Sequence, residues 1–338
     1  MPIKDVDLVD EIQRVYRASY IKDVALARTL EDSTYGALNT LIYQTQADII
    51  GKFQQDQEYI AQIIDIASGQ NKALMEKQPE AISFLQELLS MVKNFTREIQ
   101  NPFYKVLGKH GLYSVVQNDL QVLYNVLEHS PAPIRSQVLA DKAKSKDLLT
   151  LLIERVEQDS LDDQLEIIEI IRLFLDTSGS GVATTDSLEL VDLDKFLELF
   201  YDEFCSRLFS ALDRGVVEKA SNEVEFVDGV EYDLVIKLMD LLSFLIVQNG
   251  MFCKNHLIQS TLMKKVALFL QAPKAFVRLA ALGVFRTCLN LNDEFYRRLL
   301  MKQQVFGRVL TCLLETNGKN NLLNSACLEF FDLILKVF

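Results

Sequence analysis

Two stretches decide the fold. Phe252-Cys-Lys-Asn-His-Leu257-Ile258 is followed by Leu262-Met-Lys-Lys-Val266-Ala-Leu268-Phe269-Leu270. Phe295-Tyr-Arg-Arg-Leu299-Leu300 is followed by Val305-Phe-Gly-Arg-Val309-Leu310-Thr-Cys312-Leu313-Leu314. Each reads as a short helix and then a medium one, and a longer apolar helix follows each, over 274–291 and 320–337. The offset from Phe252 to Phe295 is 43 residues.

Working outward, the same three- and four-residue spacing recurs. Leu112, Val115, Val116, Leu120, Leu123, Tyr124 and Leu127 make one stripe, and Leu148, Leu149, Leu151, Leu152, Ile153 and Val156 another. Weaker copies of the unit fall at Ile49–Phe95 and Ile134–Leu175. A 43-residue period of helices is that of armadillo and HEAT repeats. No unit of that size buries its own apolar face, so stacking is obligatory. The sequence therefore predicts an all-α, right-handed helical-repeat solenoid of at least fifteen helices, with 1–338 as a single domain. The end at Leu335-Lys-Val-Phe338, with no polar capping helix, suggests a domain cut from a longer protein.

Helix ends follow from turn chemistry. Asn101-Pro102, Ser130-Pro131 and Asn292-Asp293-Glu294 read as openings. Gly69, Gly250 and Gly318 read as stops. Two loop insertions interrupt the stack, near 177–191 and 214–231, on either side of an acidic helix over 192–209. The run Val224-Glu-Phe-Val-Asp228-Gly229-Val-Glu-Tyr232 alternates with period two around Asp-Gly and predicts a small hairpin.

Composition narrows the class. Hydrophobic residues make up 49% of the chain and charged residues 24%, which excludes bulk disorder. Only 13 Gly and 6 Pro are present, too few for the turns of a sandwich or propeller. The longest apolar run, Leu241 to Val247 broken by Ser243, is far short of a bilayer span. Five widely spaced cysteines set in helical runs read as buried, reduced thiols of a cytosolic or nuclear protein.

The net charge is −12. Glu154 to Glu203 holds 15 acidic residues against three basic ones, which accounts for the whole imbalance. Met251 to Leu310 reverses the sign, with ten Lys and Arg against Asp293 and Glu294. An acidic chain is a poor grip for nucleic acid, so no direct specific nucleic-acid binding is expected. Lys264, Lys265, Arg278, Arg286, Arg297, Arg298, Lys302 and Arg308 lie within two adjacent repeats. Equivalent positions in stacked repeats share a ridge, so these eight are candidates for a positive strip that receives an acidic or phosphorylated partner segment.

Catalytic constellations are missing from the sequence. His110, His129 and His256 are isolated, and no His-x-x-x-His or Cys-x-x-Cys pair gives zinc a local ligand pair. No phosphate-binding glycine loop or nucleophile elbow occurs. Asp176-x-Ser178-x-Ser180-Gly181 imitates half a calcium loop, but Ser187 stands where the bidentate Glu belongs. No cofactor, no metal and no enzymatic activity are expected; the chain reads as a binding protein.

Gly283-Val-Phe-Arg-Thr-Cys-Leu-Asn-Leu-Asn-Asp-Glu-Phe-Tyr-Arg-Arg298, followed by Asn321-Leu-Leu-Asn-Ser-Ala-Cys-Leu-Glu-Phe-Phe331, resembles regulatory subunit 3 of protein phosphatase 4, the SMEK/Falafel family. Tyr16-Arg17-x-x-Tyr20-Ile21-x-Asp23-Val24, Ile49-x-x-x-Phe53-Gln-x-Asp56-x-x-Tyr59 and Phe200-Tyr201 agree in order, so the resemblance covers nearly all of the sequence. Family members carry a pleckstrin-like domain before this helical core and a charged tail after it, and neither is found here. Segments near Asn118–Leu127 and 210–230 are shorter than in animal members, which suggests a diverged, fungal version.

The resemblance implies a non-catalytic subunit of the nucleus and cytoplasm. It implies as partners the phosphatase 4 catalytic subunit, a second regulatory subunit, and phosphoprotein substrates of the DNA-damage checkpoint, including phosphorylated histone. The matched residues Tyr16, Arg17, Tyr20, Asp293, Glu294, Phe295, Tyr296, Leu323, Asn324 and Ser325 read as structural, through helix capping and inward packing. Asn320, Asn321 and Asn324 read as helix caps after Gly318 rather than a peptide-backbone ladder. A different armadillo adaptor, such as a transport receptor, is the competing reading; it favours regular Trp and Asn ladders, and the chain has no Trp.

Overall fold

The computed structural model describes residues 3, 5–129, 131–141, 148–158, 160–178, 187–218, 224–227 and 231–337. Among these there are eighteen α-helices and one two-stranded hairpin. The chain divides into two compact units, Met1–Gln137 and Val138–Phe338.

The first unit contains α1 (Val6–Tyr20), which runs into a π-helical turn at Ile21–Ala25, then α2 (Asp32–Gln55), α3 (Gln57–Ala67), α4 (Gln78–Val92), α5 (Arg97–Lys109) and α6 (Leu120–His129). The division falls within α7 (Ala132–Asp141). Asp5 caps α1, its carboxylate accepting from the Asp7 and Leu8 amides. Ile49, Ile50 and Phe53 of α2 meet a core that also holds Ile60, Ile64, Leu85, Phe103 and Tyr104, all nearly inaccessible.

Local departures from the sequence reading have physical causes. Pro102 does not open a helix; it lies inside α5, which starts at Arg97. Pro102 has no N–H to return to the previous turn. The helix survives because Phe103, Tyr104 and Leu107 are fully buried on its inner face. The side-chain amide of the buried Gln100 donates to the Val92, Lys93 and Phe95 carbonyls and pins its first turns to the end of α4. The 112–127 stripe is not one helix either. It breaks into a 3-10 turn, Leu112–Gln117, and α6, because Asp119 accepts from the Gln121 amide at 2.8 Å and restarts the chain. Leu112, Val115, Leu120, Leu123 and Leu127 of the stripe are buried.

The second unit holds α8 (Leu148–Gln158), α9 (Leu161–Leu175), α10 (Ser187–Leu199), α11 (Cys205–Leu208), α12 (Tyr232–Gln248), α13 (Gly250–Gln259), α14 (Leu262–Leu268), α15 (Ala275–Asn290), α16 (Glu294–Lys302), α17 (Val305–Glu315) and α18 (Leu322–Val337). The repeat expected from the 43-residue offset is present as α13-α14-α15 and α16-α17-α18. The long helices form a ladder: α9 packs on α12, α12 on α15, and α15 on α18. Every third helix therefore supplies the spine of this unit, and Phe174, Leu245, Phe285 and Phe330 lie fully buried along it. Asp293 caps α16 as its position before Glu294 implies, and Gly318 adopts φ +68° after α17, where a side chain would be strained.

Of the expected loop at 177–191, residues 179–186 lie outside the described ones, and with them most of the calcium-loop mimic. Ser187 to Val191 are already helical, in α10. The expected acidic helix over 192–209 is divided into α10, a π-helical turn at Phe200–Phe204, α11, and a 3-10 turn at Phe209–Arg214.

The hairpin pairs in the direction opposite to the one the Asp228-Gly229 turn predicts. β1 (Val216–Glu218) and β2 (Val224–Phe226) are antiparallel, with Val217 opposite Glu225. Tyr232 begins α12, which leaves no room downstream for a second strand; the β-branched Val216-Val217 supplies it upstream. Residues 228–230 lie outside the described ones. No helix among the described residues is long and apolar enough to cross a membrane.

Candidate partner-binding site around α13

Two of the sequence-matched segments of the second unit, Tyr201 and Asp293 to Tyr296, meet α13. Its first turn follows Asn249, which is almost fully buried and donates its amide to the Tyr201 hydroxyl at 3.3 Å. Tyr201 sits in the π-helical turn after α10, and its ring lies nearly parallel to Phe252 at 6.3 Å, with His256 at 5.9 Å. A π turn inserts one residue into a helix and re-aims the side chains that follow, a device concentrated at functional sites. Phe200 and Tyr201, adjacent within this turn, are both buried.

On its other side α13 meets α16. Lys254 forms an ion pair with Asp293 and lies 5.9 Å and 5.7 Å from the ring centres of Phe295 and Tyr296. Asp293 also accepts from the Phe295 amide at 2.8 Å. Tyr296 is fully buried and Phe295 half-buried, so this motif caps and packs, as expected from its sequence. Burial drives the Tyr201 and Tyr296 hydroxyls far above the ordinary tyrosine range, and pushes the thiol of Cys253 between them up to about 12. All five cysteines are buried and free, and burial likewise raises the thiols of Cys205 and Cys288.

The hydrogen bond from Lys254, then the one from the Phe295 amide, hold Asp293 below the usual carboxylate value. A lowered folded value means a contribution present above the unfolded pKa of about 3.9 and lost as pH falls through the folded one. Asp293→Ala is expected to cost about 1 kcal/mol of cap stabilisation at neutral pH, and less as the pH drops below about 4. Urea unfolding at the two pH values measures it. An equal cost at both would contradict the charged cap.

An open groove lies between the end of α10 with its π turn and one face of α13. It has a volume of about 420 Å³. Phe252, Asn255, His256 and Gln259 supply its wall at helical spacing, and Glu198, Asp202 and Ser206 line the facing side. Burial lowers the His256 pKa, against a backbone hydrogen bond at Tyr201 and the charge of Asp202, so its ring is neutral at pH 7. No group of three or more His, Cys, Asp or Glu able to hold a metal ion occurs among the described residues.

The eight cations proposed as a strip sit on α14 to α17. Lys265 pairs with Asp213, Arg278 with Glu315, Arg286 with Glu329, and Arg298 with Glu294 one turn back. Arg278 also donates to the Ala272 carbonyl, and Arg297 to the Asn292 side chain at 3.3 Å. Lys264 and Lys302 are exposed, and Arg308 is half-buried. Half of the set is thus tied into carboxylate pairs, three of which join different elements.

Of the remaining motif residues, Leu323 is buried and Asn324 accepts from the Thr316 hydroxyl at 3.1 Å, while Asn321 accepts from the Asn324 amide at 2.8 Å. Asn321 thus caps α18, while Asn324 ties its first turn to Thr316 at the end of α17. Glu294 and Ser325 are exposed. Tyr16 and Tyr20 do not pack inward: they are 61% and 60% exposed on α1, and Arg17 beside them donates to Gln13 at 2.9 Å.

Residues 1–337 match the family model described as phosphatase 4 regulatory subunit 3. The serine/threonine-protein phosphatase 4 regulatory subunit 3 of Drosophila melanogaster is 26% identical over 99% of this chain and 35% of its own length. The protein called Suppressor of Mek1 in Dictyostelium discoideum is 23% identical over 97% of this chain and 33% of its own length. An uncharacterised protein of Schizosaccharomyces pombe is 23% identical over 99% of this chain and 43% of its own length. The chain thus spans between a third and under half of these relatives. No solved structure matches it. With the motif residues of α16 and α18 in capping and core positions and the match running from end to end, the chain belongs to the phosphatase 4 regulatory subunit 3 family.

Proposed function

We propose that this chain is the helical-repeat part of a non-catalytic subunit that binds a phosphatase 4-type Ser/Thr catalytic subunit together with a second regulatory subunit. It holds phosphoprotein substrates, those of the DNA-damage checkpoint among them, near the catalytic centre in the nucleus and cytoplasm. The observation that carries this reading is the family match over residues 1–337. The physics of such a role is effective concentration: a scaffold that docks enzyme and substrate makes their encounter intramolecular.

The first unit supplies a surface suited to the task. Tyr16, Tyr20 and Val24 follow one another at four-residue spacing and are all exposed, and Tyr35 of α2 is exposed too. These side chains lie outside the buried core, and exposed aromatics of this kind are enriched at protein interfaces. The tagged chain, expressed in cells, is expected to co-purify with a phosphatase catalytic subunit, and Tyr16→Ser with Tyr20→Ser to reduce the yield without changing the unfolding midpoint. Absence of any phosphatase from the purified material sinks the proposal, and so does phosphoesterase activity intrinsic to the chain. Recovery of transport factors instead supports the adaptor alternative.

A further inference from the structure

The groove between the π turn after α10 and the outer face of α13 has a chemical character of its own. Glu198 and Asp202 are four residues apart, exposed, on one side of it, and no Lys or Arg lines it. Neither carboxylate has an ion pair among the described residues. The parallel Tyr201 and Phe252 rings form an apolar wall. The groove runs to Gln259 and Ser260, at the C-terminal end of the ten-residue α13, where the unsatisfied carbonyls of a helix carry partial negative charge. The Ser260 hydroxyl there is buried and has no hydrogen-bond partner.

Three features therefore favour a cation and one favours a flat one. The carboxylates and the helix end attract positive charge, and nothing nearby repels it, since His256 is neutral. The ring faces accept a planar cation against them. A metal ion does not fit, because no cluster of three ligating groups is present among the described residues. A guanidinium satisfies all of these at once: it is planar, always charged, and presents five donors that suit carboxylates in bidentate geometry.

We propose that this groove is a binding site for an arginine side chain on a segment of a partner protein, with Glu198 and Asp202 as its counter-charges and the Tyr201–Phe252 wall as its stacking surface. Tyr201 is buried at the wall and Asp202, the next residue of the same turn, is exposed on the rim. This assignment goes beyond the phosphatase reading and does not depend on it, since the site is read on the isolated chain.

The test is an NMR titration of the 338-residue chain with histidine ring carbons labelled. The His256 signal is assigned by its loss in His256→Gln. The probe is a capped Gly-Arg-Gly tripeptide, compared with the same peptide carrying citrulline, which keeps shape and most donors but not charge. The arginine peptide is expected to shift the His256 signal saturably, and the citrulline peptide to bind at least about tenfold more weakly. Glu198→Gln with Asp202→Asn is expected to weaken arginine binding by about tenfold or more, with an unchanged unfolding midpoint. Equal shifts from both peptides, no saturable shift from either, or undiminished binding by the double variant each overturns the proposal. Because the citrulline comparison uses the unaltered chain, it holds even if the variant folds poorly.

Discussion

Replacing Phe285 by Ala is expected to lower the stability of the second unit by about 3–5 kcal/mol. Phe285 is completely inaccessible in α15. That helix packs on α12 on one side and on α18 on the other, so its core face belongs to two repeats at once. Truncation removes the transfer free energy of a ring and leaves a cavity that two helices would have to shift to fill. Phe276 provides the control within the same helix. It is 48% exposed, and Phe276→Ala is expected to change stability by no more than about 0.5 kcal/mol. Urea unfolding of both variants measures the contrast. A cost for Phe285→Ala below about 1 kcal/mol would mean that the ladder of long helices is not the spine of this unit.

The ladder was readable because its signal is local. Leu282, Phe285 and Leu289 are spaced as one helical stripe, and the same spacing reappears 41 residues later at Leu323, Ala326 and Phe330. Capping was readable for the same reason: Asp293 and Asn321 bind amides two or three residues away. What was not readable depends on residues that are distant in sequence. The cationic stretch from Met251 to Leu310 contains two acids, yet Asp213, Glu315 and Glu329 reach it from outside that window. A count of charges along the chain cannot register a partner brought in by the next helix.

The π turn was illegible for a subtler reason. Leu199, Phe200, Tyr201 and Phe204 give an apolar run compatible with one turn of ordinary helix, and the extra residue leaves no compositional mark. The ring that Tyr201 stacks on, Phe252, is supplied by α13 from far along the chain. The groove was missed with it. Glu198 and Asp202 looked like two more carboxylates in a stretch full of them, while Phe252 and His256 belong to a repeat some fifty residues later. Pro102 misled for the opposite reason: its local preference for a helix start was real, and the buried face of α5 overrode it.

Tyr201 is where the structural and functional readings can be separated. Tyr201→Ala removes a buried ring stacked on Phe252 and is expected to cost about 3–5 kcal/mol. Tyr201→Phe keeps the ring but removes the hydroxyl that accepts from Asn249. Asn249 is only 4% exposed, and its side-chain oxygen already has no partner. Losing the hydroxyl strands the whole amide, at an expected cost of about 1–3 kcal/mol. Asn249→Ala in the Tyr201→Phe background should then restore part of that loss, because no unpaired amide remains. Burial raises the Tyr201 pKa, so its stabilising effect is complete below the unfolded value of about 10 and declines as the pH rises beyond it. Tyr201→Phe should accordingly flatten part of the alkaline loss of stability, leaving the share of the similarly raised Tyr104 and Tyr296. The same variant keeps the stacking wall and both carboxylates of the groove. It should therefore bind the arginine peptide within about twofold of the unaltered chain while being measurably less stable. A loss of binding that tracked the loss of stability instead would assign Tyr201 to the fold alone and leave the groove without its wall.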